Sequence, residues 1–464
     1  MRHLLRFLSV VILAGCGASA AGTKAESSAR AFHLPVQYRT LPNGLRVVLS
    51  PDHTAPIVTV AVYYHIGFRI EPRGRTGFAH LFEHLMFQGS DHLGKLAFIK
   101  LVEANGGSLN GSTRFDFTNY YETVPSNTLE TFLWAEADRM RSLAITQDNL
   151  TNQQGVVKSE VRVNVINTPY GGFPWLDMPQ YANTNWYNAH NFYGDLHDID
   201  AATLTDAAAF HRAYYAPNNA VLVVWGDLDS AQTSQWIDTY FASIPQAPGA
   251  ARPDIAEPVQ DKEIRAQKTD SLATRPALAF GYHMPPRNTP EYFAMGLIDQ
   301  ILLQGNDSWL YQALVQHAGL TADVSGGINL LGNMFDYEGS MLWIGSLYHD
   351  QNHSDAEILH LVDTTIDSLR NVRIDSATLA RALVKARVQL YGSMTAGFGP
   401  GAADILASYA LFDNDPNRVN TIDSSFRAVT PELIQRTAQA YLRPTNRTVL
   451  SVLPGKTGDA TAVQ

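Results

Sequence analysis

The chain has 464 residues, of which 45% are hydrophobic and 17% are charged, so it contains enough apolar material for two or three packed domains. It lacks the low hydrophobicity and high charge that are typical of disordered chains. The 44 acidic and 34 basic side chains give a formal net charge of −10, which argues against a nucleic-acid-binding surface. We therefore expect a globular protein that binds no nucleic acid.

The first 15 residues have the pattern of an export signal. Arg2 and Arg6 precede an apolar run over residues 7–14, which is too short to span a bilayer permanently. The run ends in Leu13-Ala14-Gly15-Cys16, which resembles a bacterial lipobox, and Cys16 is the only cysteine. We therefore predict a lipoprotein signal peptide over residues 1–15 and a protein that is exported and lipid-anchored to the bacterial cell envelope through Cys16.

The residue after Cys16 favours one membrane over the other. Gly17 occupies the position at which an aspartate would retain a lipoprotein in the inner membrane. Its presence indicates the periplasmic side of the outer membrane. The alternative is an ordinary signal peptide that is cut after Ala20 and discards Cys16. No later segment approaches the roughly 18 apolar residues that a membrane span needs, so membrane association is expected to come from the lipid.

A proline-rich segment divides the chain into two stretches of similar length. Each stretch mixes alternating apolar strands with amphipathic helices; in the first, residues 57–64 and 116–124 read as strands and residues 77–87 as a helix. The predicted organisation is a tether over 16–35, a zinc-bearing domain over 36–244, a linker over 245–262, a degenerate repeat over 263–456 and a tail over 457–464.

The two stretches also align in amino-acid sequence. Residues 80–89 (HLFEHLMFQG) lie over residues 296–305 (GLIDQILLQG) at a constant offset, with apolar residues opposite apolar residues. The pattern predicts a duplicated domain in which Gly296 and Gln300 replace two histidines, so only the first copy should hold a metal. A coincidence between two amphipathic helices is the alternative.

Residues at i, i+3 and i+4 lie on one face of a helix, so His80, Glu83 and His84 are expected to converge. Two neutral imidazoles can bind Zn²⁺ at about 2.0–2.1 Å, and the carboxylate between them can act as general base toward water. The order His-x-x-Glu-His is the inverted zinc-protease motif. A catalytic zinc site also needs a third protein ligand, which should lie elsewhere in the sequence.

The region around this motif resembles the active-site region of the pitrilysin/insulinase family of zinc peptidases, which includes the mitochondrial processing peptidase. The resemblance rests on residues 67–71 (GFRIE), 77–90 (GFAHLFEHLMFQGS), 106–110 (GGSLN) with Thr113, 118–120 (TNY), and 214–220 (YYAPNNA) with the strand that leads to Gly226. It implies an α+β fold of two duplicated domains, each a mostly antiparallel sheet packed with helices on one face, as in the processing-peptidase-like metallohydrolases.

The resemblance also implies roles for individual residues. Family members carry a glutamate ligand in a Val-Val-x-x-Glu context, which Glu160 matches here, so one zinc ion per chain is expected on His80, His84 and Glu160 with Glu83 as general base. Seven residues earlier, where active members often have a second glutamate, this chain has Gln153. An amide there can form hydrogen bonds but cannot shuttle a proton, which bears on catalytic efficiency.

The glycine-rich stretch implies how substrate binds. Gly107, Ser108, Leu109 and Asn110 are expected to pair with the backbone of an extended peptide or a small unfolded protein, as an added strand at a sheet edge. The implied activity is zinc-dependent endopeptidase hydrolysis. The alternatives are a metal-binding but catalytically weak scaffolding or peptide-binding subunit of a peptidase complex, and a lipoprotein that only sequesters zinc or binds peptides at the envelope.

The second half lacks two groups that active single-chain family members carry. These members have an arginine and a tyrosine seven residues apart that hold the substrate carbonyl, and the matching positions here are Val315 and Ala322. The resemblance therefore implies a second half-length subunit that supplies an Arg/Tyr pair in a heterodimer, with a homodimer as the alternative. If the alignment is shifted by a turn, Tyr311 or Arg287 would take that role instead.

Overall fold

The computed structural model describes residues 33–249, 251–395 and 399–455. The predicted signal peptide, Cys16 and the C-terminal tail over 457–464 lie outside the described residues. Within this part of the chain the strands are β1 Gln37–Thr40, β2 Arg46–Pro51, β3 Ile57–Tyr64, β4 Ser108–Thr113, β5 Thr118–Pro125, β6 Ala220–Gly226, β7 Ile264–Asp270, β8 Ala277–His283, β9 Thr321–Ile328, β10 Leu342–His349 and β11 Arg447–Pro454.

Helices connect these strands, and two of the helical segments are π-helices, Arg162–Ile166 and Gln312–His317. The α-helices are α1 Phe78–Leu85, α2 Ala97–Ala104, α3 Leu129–Arg141, α4 Gln147–Val161, α5 Asp177–Ala182, α6 Trp186–Ala189, α7 Leu196–Asp200, α8 Leu204–Tyr214, α9 Ser230–Phe241, α10 Pro290–Leu302, α11 Trp309–Tyr311, α12 Asp355–Asn371, α13 Ser376–Ser393, α14 Ala402–Phe412, α15 Ile422–Arg427 and α16 Pro431–Tyr441.

The strands form two sheets with the same internal order. The first sheet runs β1-β2-β6-β3-β5-β4 and the second runs β7-β11-β8-β10-β9. Without β1, each sheet places its fifth strand between its first and second, and in both sheets the first and fifth strands are parallel while the other pairs are antiparallel. This identity of order and direction confirms the predicted duplicated α+β fold. The predicted domain boundaries stay a prediction.

Each sheet is covered on one face by a helix from the other half of the chain. Helix α14, from the second half, packs on β6, β3 and β2 of the first sheet, while α5, from the first half, packs on β11, β7 and β8 of the second. Arg46 on β2 strengthens the first contact by donating hydrogen bonds to the carbonyls of Ala410 and Leu411 near the end of α14. The two halves therefore complete one another's cores.

Among the described residues, no helix is both long enough and apolar enough to cross a membrane.

The predicted strand over residues 57–64 coincides with β3, and the predicted helix over 77–87 contains α1. The segment between α9 and β7, which includes the predicted linker, forms no helix or strand in its described residues.

Two buried carboxyl groups meet where α14 covers the first sheet. Asp404 on α14 accepts a 2.6 Å hydrogen bond from the Tyr63 hydroxyl on β3, and it hydrogen-bonds with Asp336. Asn333 and Ser408 donate to Asp336 at 2.6 and 3.1 Å. Burial raises the pKa of both carboxyl groups above the usual range of aspartate, and the hydrogen bonds from Tyr63 to Asp404 and from Ser408 to Asp336, followed by the Arg114 charge, oppose this rise only in part. The pair therefore favours a protonated state.

A raised pKa in the folded state gives stability that is present below the unfolded pKa of about 4 and is lost as the pH rises through the folded value. We therefore expect the free energy of unfolding to decrease from pH 5 to pH 8, and Asp404→Asn, which mimics the neutral acid, to flatten this dependence and to be more stable than the parent at pH 8 by about 1–2 kcal/mol. Denaturant unfolding at both pH values measures it. Asp367→Asn, at an exposed pair with Arg370, is the matched control and should leave the slope unchanged; an equal slope in Asp404→Asn and the parent would contradict the prediction.

Candidate metal centre

Helix α1 begins at a backbone position that only glycine fits well. Gly77, which precedes the helix, has a φ of +85°, and a Cβ on it would lie 2.9 Å from the Ile199 side chain. The buried carboxylate of Glu71 accepts hydrogen bonds from the backbone N–H groups of Gly77 and Ala79 at 2.8 and 2.6 Å. Burial nevertheless raises the pKa of Glu71 to about 8. These contacts fix the start of the helix two residues before His80.

The structure brings His80, His84 and Glu160 together. The Nε2 atoms of His80 and His84 are 3.3 Å apart, His80 Nε2 is 3.4 Å from Glu160 Oε1, and His84 Nε2 is 3.3 Å from Glu160 Oε2. His80 is buried, whereas the side chains of His84 and Glu160 keep 21% and 34% of their surface exposed. The cluster therefore opens to solvent on one side, as a site that accepts substrate must.

Helix α4 places Glu160 in this cluster. The Thr146 side chain caps the start of α4 by accepting from the backbone N–H of Asn149, and α4 packs directly against α1. Gln154, on the same helix, donates to the carbonyls of Ile199 and Ala202 and holds α4 in place. The helix changes to a π-helix two residues after Glu160, a form that is frequent at functional sites.

The donor set fits a zinc ion. Tetrahedral ligands at about 2.0–2.1 Å from a metal are about 3.3–3.4 Å from one another. The two imidazole nitrogens have this separation, and each lies at a similar distance from a different oxygen of Glu160. Hydrogen bonding from the His80 and His84 rings holds the pKa of the Glu160 carboxyl well below its usual range, so this ligand stays ionised. Among the described residues, this is the one group of three histidine, cysteine or acidic side chains close enough to hold a metal.

Glu83 lies between the two histidines on α1 and faces strand β4. Its Oε2 accepts a 2.6 Å hydrogen bond from the Thr113 hydroxyl. A Cβ on Gly111 would lie 3.3 Å from Glu83 Cγ, so this glycine leaves the space that the glutamate occupies. Glu83 is therefore beside the histidine cluster without being part of the three-ligand set.

The predicted substrate-binding residues lie on or beside an edge strand. Among the described residues, β4 is the last strand of its sheet and pairs only with β5. Ser108 and Asn110 are exposed, and Leu109 is half-buried on the side of the strand that also carries Gly111. Gly107, just before β4, is tightly enclosed because a Cβ there would lie 2.6 Å from a Val124 methyl group. The position of β4 is suitable for backbone pairing, which stays a prediction.

Gln153 does not join the cluster. It lies two helical turns before Glu160 on the same face of α4, is buried, and donates to the neighbouring Asn152 side chain at 2.7 Å. No hydrogen bond within the described part of the chain links it to the two histidines. Its predicted supporting role stays a prediction.

Tyr193 is a neighbour of the cluster that the sequence pattern did not reveal. Its ring packs against those of His80 and Trp175, each at a centroid distance of 5.4 Å. Burial, followed by the Glu160 and Glu83 charges, raises the pKa of its hydroxyl. His80 Nδ1 has no hydrogen-bond partner among the described residues, so the orientation of that ring depends on packing against groups such as Tyr193. Tyr193 is about 110 residues from the motif and could not be placed from spacing.

The second half of the chain differs from the first at the positions of the two histidines. Gly296 occupies the position of His80, and a Cβ there would lie 3.0 Å from the side chains of both Met334 and Phe426. Gln300 replaces His84 and donates to Gln389 on α13, the helix that corresponds to α4. A cavity of about 300 Å³ remains at this place.

The second half also shows what occupies the expected Arg/Tyr positions. Val315 is half-buried against the core and Ala322 is an exposed residue of β9. The alternative, Arg287, donates to the carbonyls of Phe335 and Tyr337 and pairs with Asp413, so its guanidinium is committed within the second half.

Comparison with known proteins gives two family matches. Residues 46–170 match the profile described as insulinase (peptidase family M16), and residues 201–384 match the one described as peptidase M16 inactive domain. The first match contains His80, Glu83, His84 and Glu160.

Relatives and solved structures agree with these matches. The chain is 26% identical over 421 residues to zinc protease PqqE of Helicobacter pylori, covering 89% of this chain and 92% of that protein. It is 24% identical to a probable mitochondrial-processing peptidase subunit beta of Arabidopsis thaliana, over 52% of this chain and 46% of that one. A crystal structure of a protease from Helicobacter pylori superposes with a TM-score of 0.82 at 25% identity, over 91% of this chain and all of that chain (100%).

Proposed function

Because this chain belongs to the insulinase (peptidase M16) family as a half-length member, we propose that it is a zinc-dependent endopeptidase that hydrolyses extended peptides or small unfolded proteins. The observation that carries the proposal is the convergence of His80 Nε2, His84 Nε2 and the Glu160 carboxylate, with contacts of 3.3–3.4 Å and with Glu83 beside them. His80, His84 and Glu160 would hold one zinc ion per chain.

The chain's own residues supply the acid–base chemistry. Zinc bound at the cluster would polarise the scissile carbonyl and make water more acidic. Glu83 accepts the proton of the attacking water and returns it to the leaving amine. Glu160 supplies a negative charge that offsets the cation, and β4 offers its unpaired edge to the substrate backbone, which presents the peptide carbonyl to the cluster.

We expect Glu83→Gln to keep about one zinc per chain and to lose peptide cleavage by at least about 10²-fold, because the general base is not a ligand. His80→Gln and His84→Gln should lose the metal itself. Metal analysis of each purified variant, together with hydrolysis of a fluorogenic peptide, measures both effects. Glu103→Gln, an exposed glutamate on α2, is the matched control and should behave like the parent.

Two results would reject these roles. Loss of zinc in Glu83→Gln would make Glu83 a ligand, and parent-like cleavage by Glu83→Gln would remove it from the reaction.

A second candidate function is a metal-binding but catalytically weak peptide-binding subunit. Gln153 in place of a supporting glutamate, and Val315 and Ala322 in place of an Arg/Tyr pair, favour it. It predicts zinc binding and peptide binding with no turnover under any condition.

The missing pair leads to a proposal about a partner. Val315 and Ala322 cannot donate hydrogen bonds from their side chains, and Arg287 is held by its own half of the chain. A relative named as a subunit of the mitochondrial-processing peptidase agrees with assembly from separate chains. We propose a heterodimer in which a zinc-free half-length chain supplies the Arg/Tyr pair, with a homodimer as the alternative.

The isolated chain should hydrolyse peptides about 10²–10³-fold more slowly than the assembled pair, because an oxyanion donor is missing. The experiment assays the chain alone and with co-expressed half-length relatives, while light scattering records the mass in the same sample. Full turnover by a strictly monomeric preparation would contradict the partner proposal and leave the zinc assignment intact.

The N-terminal sequence motivates a proposal about location. Mature protein should begin at Cys16, carry acyl chains and sediment with membranes until detergent is added, since two or more acyl chains give stable anchoring. Intact-mass measurement of the mature protein and membrane fractionation test this, with Cys16→Ser as the control that should become free of the membrane. A mature form that begins beyond Ala20 would contradict it.

A further inference from the structure

Strand β4 contacts the proposed general base directly. Thr113, the last residue of the strand, is buried, and its hydroxyl oxygen lies 2.6 Å from Glu83 Oε2 and 3.4 Å from the Ala79 carbonyl oxygen. A hydroxyl has one proton to donate, and the shorter contact with a carboxylate is the stronger one. The Thr113 proton is therefore directed to Glu83.

The backbone around Thr113 is held on both sides. Thr113 pairs with Thr118 at the end of the β4–β5 hairpin, and the turn closes with a 2.8 Å hydrogen bond from the Arg114 N–H to the Phe117 carbonyl. Thr118 in turn donates through its hydroxyl to the Ile66 carbonyl at 2.8 Å. The hydroxyl of Thr113 thus projects from a rigid point of the sheet.

Gly111 closes the other side of the same space. It lies two residues before Thr113 on the same face of β4, and a Cβ on it would approach Glu83 Cγ to 3.3 Å. Glu83 therefore stands between helix α1 and strand β4 with little lateral freedom. Among the described residues no hydrogen bond engages its second oxygen, Oε1, which remains available to accept a proton.

We propose that Thr113 is a positioning residue that holds Glu83 Oε2 and thereby aims Oε1 at the attacking water. This inference rests on the proposed peptidase function. Strand β4 would then have two roles. Its edge binds the substrate, and its Thr113 side chain fixes the position of Glu83, the base that acts on that substrate. Substrate position and base position are then set by one rigid element, which limits misalignment between them.

Two substitutions separate the hydroxyl from the volume of Thr113. Thr113→Val keeps the shape and removes the donor, whereas Thr113→Ser keeps the donor. Thr59→Val, which removes a buried hydroxyl bonded to Thr123 elsewhere in the sheet, is the matched control. Each variant is loaded with zinc, its metal content is measured, and its crystal structure is determined alongside kcat and KM for a fluorogenic peptide.

We expect Thr113→Val to bind zinc as the parent does, to show Glu83 in more than one conformer, and to lose about 10–100-fold in kcat with KM changed less than about threefold, because a displaced base costs rate rather than binding. Thr113→Ser should restore a single conformer and most of kcat, and Thr59→Val should match the parent.

A single, unshifted Glu83 conformer in Thr113→Val would overturn the inference, and so would a Thr113→Ser variant as disordered as Thr113→Val. If the parent hydrolyses no peptide even in the assembled complex, the peptidase proposal fails, while the position of the Glu83 carboxylate in the crystals still decides the role of Thr113.

Discussion

The reciprocal covering of the two sheets is the interaction on which the rest of the molecule depends. Helix α14 closes one face of the first sheet and α5 closes one face of the second, so each half covers a sheet face that the other half would leave exposed. Burial of this kind is the main source of folding free energy. Helix α1 packs on β4 and β5 of the first sheet and α4 packs on α1, and His80, His84 and Glu160 meet between those two helices.

Duplication followed by loss accounts for the asymmetry of the two halves. Both sheets keep the same strand order, so the second copy has a helix and an edge strand where the first has α1 and β4. Met334 and Phe426 lie against the position of the first histidine, and Gln300, at the position of the second histidine, donates to Gln389. Restoring one histidine at Gly296 would meet these side chains before it met a metal.

The sequence predicted those features that depend on local periodicity. Strand β3 and the convergence of His80, Glu83 and His84 follow from spacing along one element, and Glu160 was found through its Val-Val-x-x-Glu context rather than through physics. The bond between Thr113 and Glu83 depends on how a strand and a helix 30 residues apart pack, and the contact of Tyr193 with His80 depends on a loop beyond α6. Helices α5 and α14 each cover the sheet of the opposite half, and this long-range packing is not encoded in any periodicity. The prediction that helices cover one face of each sheet therefore describes only the helices that belong to the same half as the sheet.

The position of the fifth strand in each sheet has a consequence for how the chain folds. In the first sheet β6 pairs with β2, and the register joins Arg46 to Val221, so the centre of the sheet stays open until nearly all of that half has been synthesised. Because α14 lies later still, the first sheet gains its last covering only near the C-terminus. Native contacts between residues so far apart in sequence slow folding, because the chain loses loop-closure entropy before these contacts form and stabilise the fold. The face of the first sheet that α14 covers therefore stays exposed until Ala402–Phe412 has been synthesised, although the core on the opposite face needs only first-half residues.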